Sequence, residues 1–109
     1  MKDEKYIKRI INYSNKIIRY LKVVDTIDKF ITNEEKVDAV LLNLEQIGET
    51  AKKISEACKK LYLNIEWNKI IGLRNLISHE YEGVDTTIIY NVATTSIPKL
   101  LESLLQNKK

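Results

Sequence analysis

A chain of 109 residues has room for one hydrophobic core, because a domain of this size buries somewhat over ~60% of its unfolded surface. It is read as a single domain over residues 1–109. Apolar residues make up 44% and charged residues 30%, which excludes a disordered chain too poor in apolar surface to offset its ordering entropy. A formal net charge of +3 allows contact with phosphates, but an ordinary solvated surface gives the same figure, so charge selects no partner.

Three glycines and one proline are too few for a turn-rich β fold and favour a few long helices. The lone Cys58 excludes an intrachain disulfide, and the opening MKDEKYIKRI has no apolar stretch that could serve as a secretion signal. No run approaches the roughly 20 apolar residues of a membrane helix. The expectation is a cytoplasmic protein with no membrane partner.

Taken in chain order, Tyr6/Ile7, Ile10/Ile11, Ile17/Ile18 and Leu21 recur at three and four residues and predict an amphipathic helix, with Lys8, Arg9, Asn12, Lys16 and Arg19 on the other face. Val23–Ile31 reads as a short helix or a connection. Thr32-Asn33-Glu34-Glu35 has the form of a capping box, so a helix is expected to start at Thr32. Its stripe, Val37, Val40/Leu41, Leu44, Ile47/Gly48, Ala51, Ile54, Cys58 and Leu61, predicts one unbroken central helix. The small Gly48 and Ala51 would let a neighbouring helix approach closely.

Asn64 is a candidate cap and Trp67 an apolar plug, followed by a helix from about Asn68 to Tyr81 with Ile70, Leu73, Leu76 and Ile77 inward and Gly83 at its end. Asp85 caps a last helix whose inward residues are Ile88/Ile89, Val92, Ile97, Leu100/Leu101 and Leu104/Leu105, and Pro98 is expected to kink it. The sum is an all-α antiparallel bundle of four or five helices.

Reactive residue types concentrate in Gly72–Gly83, GLRNLISHEYEG, which holds the only histidine. On a helix Asn75 and His79 share a face, as do Arg74 and Ser78, and Arg74 aligns with Tyr81. Arg74 and His79, five apart, diverge by about 140°. Histidine exchanges protons near neutrality and arginine offers a permanent fork of donors to phosphate oxygens. Together they suit metal-free RNA cleavage, which needs a base, an acid and a cation. One histidine per chain supplies half of that set, and a two-fold dimer pairing two His79 and two Arg74 would complete it.

Each residue also has a plain structural use, His79 in capping or packing, Tyr81 as a half-buried aromatic and Arg74 in a surface ion pair. Glu45 and Glu49 lie four apart and could hold a divalent cation, although Lys52 and Lys53 stand beside them as partners. There is no zinc-ligand spacing, no glycine-rich phosphate loop and no acyl-transfer nucleophile element. No metal or other cofactor is implied.

Arg74, four residues, His79, one residue and Tyr81 resemble the R-x4-H-x-Y signature of HepT-like toxins in the HEPN ribonuclease superfamily. Asn75 after the arginine fits, as do Asn43-Leu44-Glu45-Gln46-Ile47-Gly48-Glu49, Trp67 with Lys69-Ile70-Ile71-Gly72-Leu73, and Gly83-Val84-Asp85. The likeness covers most of the chain.

The resemblance implies an all-α, HEPN-like homodimer that acts as the toxin of a toxin-antitoxin pair, a metal-independent endoribonuclease on cellular RNA. Arg74 and His79 would be catalytic, with Asn75 and Ser78 in support. It further implies a nucleotidyltransferase antitoxin of the MntA type that adds AMP to Tyr81, placing charge and bulk beside a cleft meant for RNA phosphates. The alternatives are a non-catalytic helical partner of such a nucleotidyltransferase and a purely structural bundle.

Overall fold

The computed structural model describes residues 3–79 and 85–106, those from 74 to 79 by their backbone alone. Helix α1 spans Glu4–Val23 and buries Ile7, Ile10, Ser14, Ile17 and Leu21, the stripe that the three-and-four spacing predicts. The undecided segment after it forms a short helix, α2 (Ile27–Ile31), capped by the Thr26 hydroxyl, which accepts from the Lys29 N–H at 3.2 Å. Phe30 of α2 is fully buried.

Helix α3 (Glu34–Lys52) starts one residue later than the capping box predicts. Asn33 is the cap, its side-chain oxygen accepting from the Lys36 N–H at 3.0 Å. The Thr32 hydroxyl instead donates backwards to the Asp28 carbonyl at 2.9 Å. Only Thr32 and Asn33 lie between the two helices; Thr32 closes α2 and Asn33 is left to cap α3.

The expected unbroken central helix is a correction of substance. It stops at Lys52, and a separate turn, α4 (Glu56–Lys59), follows. Ser55 caps α4 by accepting from the Cys58 N–H at 3.2 Å while its hydroxyl donates to the Asp3 carboxylate at 2.6 Å. Asp3 is buried, and its carboxylate is engaged with Ser55 in place of capping α1. The link ties the start of α1 to the end of α3. Ile54 and Cys58 stay buried across the break, and Leu61 points to solvent.

Trp67 opens α5 (Trp67–His79), one residue ahead of the expected start, and is buried edge-on against Tyr62 with ring centroids 6.3 Å apart. The Lys69 and Ile70 N–H groups both close on the Glu66 carbonyl, so the first turn forms there and not at Asn64. The side chains of Leu76 and Ile77, expected inward, and the helix end expected at Gly83 lie outside the described residues.

Asp85 caps α6 (Thr86–Asn91) as expected, accepting from the Thr87 N–H at 2.8 Å. A π-helical turn over Val92–Ser96 joins it to α7 (Ile97–Gln106). Pro98 has no N–H to give and its ring crowds the Thr94 carbonyl, and the wider turn just before it, in which the Ile97 N–H reaches the Val92 carbonyl, absorbs that crowding. Ile89, Ile97, Leu100 and Leu104 are buried, whereas Ile88 and Leu105, also expected inward, are exposed.

Packing follows the order α7–α1–α3–α5, with α2 bridging α3 and α6. Phe30 of α2 meets Tyr90 of α6 at 5.4 Å between centroids. Helices α1 and α3 run antiparallel, since Lys36 lies over the Tyr20 ring at one end and Asp3 binds Ser55 at the other. The described residues are all-α, with no strand, in agreement with the bundle expected.

Three outcomes test this arrangement. Leu44 is fully buried, so Leu44→Ala should destabilise the fold by about 2–5 kcal/mol in urea unfolding. Removing the α3 cap with Asn33→Ala should cost about 1 kcal/mol, and Thr32→Ala less, reversing the order a Thr32 capping box requires. Burial, aided by the Asp3 charge, pushes the Cys58 thiol up; iodoacetamide at neutral pH should therefore label it only after denaturant is added.

Candidate active site

Helix α5 carries the candidate residues because its first turn is fixed. Trp67 and Ile70 are buried and Ile71 and Leu73 are half-buried against the core. The helix packs on α3, so the inward side of its N-terminal half is committed to the bundle. Arg74, Asn75, Ser78 and His79 all lie on the continuous helix that follows, with His79 the last of its described residues. Their side chains, and Tyr81 altogether, lie outside the described residues.

The backbone alone sets one constraint. With Arg74 and His79 on one uninterrupted helix, the divergence of about 140° foreseen from their spacing applies. Gly72 adds another. A Cβ built on it meets no atom of the described residues within 4 Å, so α5 has open space at this position. Asn75 and His79 follow Gly72 at three and seven residues, on the same helical register.

Other candidate chemistry is weaker. Cys58 is buried with its thiol held neutral, the opposite of an activated nucleophile. Glu45 and Glu49 are half-buried on α3, and no group of three or more metal-ligating side chains occurs among the described residues. A groove of about 210 Å³ between the first turn of α5 and α7 is lined by Lys69, Thr95, Ser96 and Lys99. It lies at the end of α5 away from His79, and Lys69 there is paired with Glu66 at 3.1 Å.

One grouping was not evident from the sequence, in which Lys8, Arg9, Lys16 and Arg19 of α1 mark only the face opposite its apolar stripe. The structure sets Lys5 and Arg9 over the Tyr6 ring and Lys36 of α3 over the Tyr20 ring, and the seven-residue repeat of Tyr6, Tyr13 and Tyr20 is the signal that would have revealed it.

Comparison with known proteins bears on α5 directly. Residues 7–106 match the family described as Ribonuclease HepT-like. Two proteins of Methanocaldococcus jannaschii, both provisionally named RNases, are similar over 91 residues. One is 31% identical, covering 84% of this chain and 83% of its own length. The other is 34% identical, covering 84% and 78%. A protein of Thermococcus cleftensis named "Probable ribonuclease HepT" is 32% identical over 73 residues, 67% of this chain and 66% of its own. No solved structure matches. The match takes in all of α3 and α5, and the chain belongs to the HepT-like ribonuclease family.

Proposed function

We propose that this chain is the toxin of a toxin-antitoxin pair, a metal-independent endoribonuclease whose Arg74 and His79 act across a homodimer cleft. The observation that carries this reading is α5 itself, one continuous helix bearing both residues on diverging directions, with an open edge at Gly72. A second copy of the helix laid along that edge would meet no Cβ at Gly72 and would bring a second His79 and Arg74 into reach. Membership of the HepT-like ribonuclease family supports RNA as the substrate.

In the proposed reaction, one His79 takes the proton from a ribose 2′-OH and the 2′ oxygen attacks the adjacent phosphorus. The bond to the 5′ oxygen breaks and that oxygen receives a proton from the second His79, leaving a 2′,3′-cyclic phosphate and a 5′-hydroxyl. Arg74 holds the negative charge of the five-coordinate phosphorus. Asn75 and Ser78 position the RNA or the histidine. A nucleotidyltransferase antitoxin silences the site by adding AMP to Tyr81, because each added phosphodiester repels the RNA backbone.

Cleavage of an RNA oligonucleotide in EDTA, with cyclic phosphate ends, is the expected activity. His79→Ala should lower kcat by about 10²–10⁴. Full cleavage by His79→Ala, or cleavage only with added metal, overturns the mechanism. Adding excess His79→Ala protein to the wild-type chain should lower its activity, because mixed dimers hold a single His79, and activity unchanged under conditions where subunits exchange removes the shared cleft. With the antitoxin and ATP, the wild-type chain should gain AMP mass and the Tyr81→Phe chain none; modification of Tyr81→Phe would place the switch elsewhere.

A further inference from the structure

The outer flank of α1, where it meets α3, gathers aromatic rings and cations in a pattern the bundle does not require. Tyr6, Tyr13 and Tyr20 repeat every seven residues and stand in one row, each half-buried with one side packed on the core. None of their hydroxyls makes a hydrogen bond among the described residues. Leucine would fill the same positions without exposing a polar atom, so core packing alone gives no reason for tyrosine at all three.

Next to that row runs a second one, Lys5, Arg9, Lys16 and Arg19, at spacings of four, seven and three. Lys5, Arg9 and Arg19 are exposed. Helix α1 carries six cations and a single acid, Glu4, which pairs with Lys8 on the other side. No carboxylate pairs with the four cations of the row, nor with Lys36 of α3, among the described residues. Three of these cations associate with the rings instead. The Lys5 ammonium and the Arg9 guanidinium lie 5.1 and 5.7 Å from the centroid of Tyr6, and Lys36 lies 5.3 Å from that of Tyr20.

Solvent-exposed cations over a ring mark that face as reachable from outside. A base can take the same face while the displaced cation moves to the flanking phosphate. Stacking rings set among unpaired cations are the features with which proteins hold single-stranded nucleic acid without reading sequence. From Tyr6 to Tyr20 the row extends about 21 Å at ~1.5 Å per residue, room for several nucleotides. A duplex, whose bases are stacked on one another, offers these rings nothing.

We propose that the Tyr6–Tyr13–Tyr20 row and its Lys5, Arg9, Lys16, Arg19 and Lys36 fringe form a binding track for single-stranded RNA, distinct from α5. That its ligand is RNA and not DNA rests on the ribonuclease reading; the track itself rests on α1 and α3 alone. It would hold substrate outside the cleft and favour long, unpaired RNA over duplex.

The test is fluorescence anisotropy of the full-length His79→Ala chain, which leaves RNA intact, with a labelled oligouridylate of about 16 nucleotides over a range of salt. Lys5→Gln/Arg9→Gln/Arg19→Gln, all at exposed sites that leave the fold intact, should weaken binding at least about tenfold and reduce the salt slope by about 2. Tyr13→Leu, which keeps the apolar contact, should weaken it about fivefold or more and leave the slope unchanged. Binding equal to the parent in both variants overturns the track. So does equal affinity for duplex RNA, or binding to phosphatidylserine vesicles in place of RNA. Stripe-dependent binding by a chain that never cleaves RNA would keep the track and remove the nuclease; cleavage with no stripe dependence would do the reverse.

Discussion

Burial of α3 on two flanks is the constraint from which the rest of the molecule follows. Its stripe of Val37, Val40, Leu41, Leu44, Ile47, Gly48 and Ala51 is wider than one neighbour can cover, and α1 and α5 both pack on it. Each fully buried Leu or Ile contributes about 1.5–3 kcal/mol. Helix α5, which buries Trp67 and Ile70 among its described side chains, depends on α3 for its position. A helix held firmly at its start and carrying its reactive residues at the other end is a suitable support for a site completed by a partner.

The connection between Asp3 and Ser55 serves the same end. It closes α1 against the end of α3 through a charged hydrogen bond, stronger than a neutral one. Because the same serine caps α4, the turn that redirects the chain toward Trp67 is fixed by one residue making two hydrogen bonds. The placement of α5 thus depends on a polar contact between positions 3 and 55 as well as on apolar packing. The two faces of the molecule also divide by chemistry: α5 carries the candidate residues Arg74 and His79, while α1 offers rings and cations without a carboxylate partner among the described residues.

Much of the helical content was legible because hydrophobic spacing reports it directly. The stripe of α1, the Asp85 cap, the Trp67 plug and the all-α class all follow from local pattern. The break at Lys53–Ser55 was not legible, since Ala51, Ile54 and Cys58 keep helical spacing across it and only the Asp3 carboxylate, far away in sequence, makes Ser55 a cap. The exposure of Ile88 and Leu105 was hidden for a related reason: spacing shows which residues share a face, not whether a neighbour covers it. At Pro98 the local disturbance was foreseeable, but its form as a π turn depends on what α7 must bury beyond it.

For the proposed site, the sequence by itself supplied the candidate set, because residue type limits the chemistry open to Arg74 and His79 and their spacing on one helix sets their divergence. It also carried the family, through motif and flanks. Tertiary structure alone decided that α5 has open space at Gly72 among the described residues, and that Lys36 of α3 stands over the Tyr20 ring of α1. Both depend on which surfaces neighbouring helices cover, and coverage is set by contacts between residues distant in the chain, which no local pattern records.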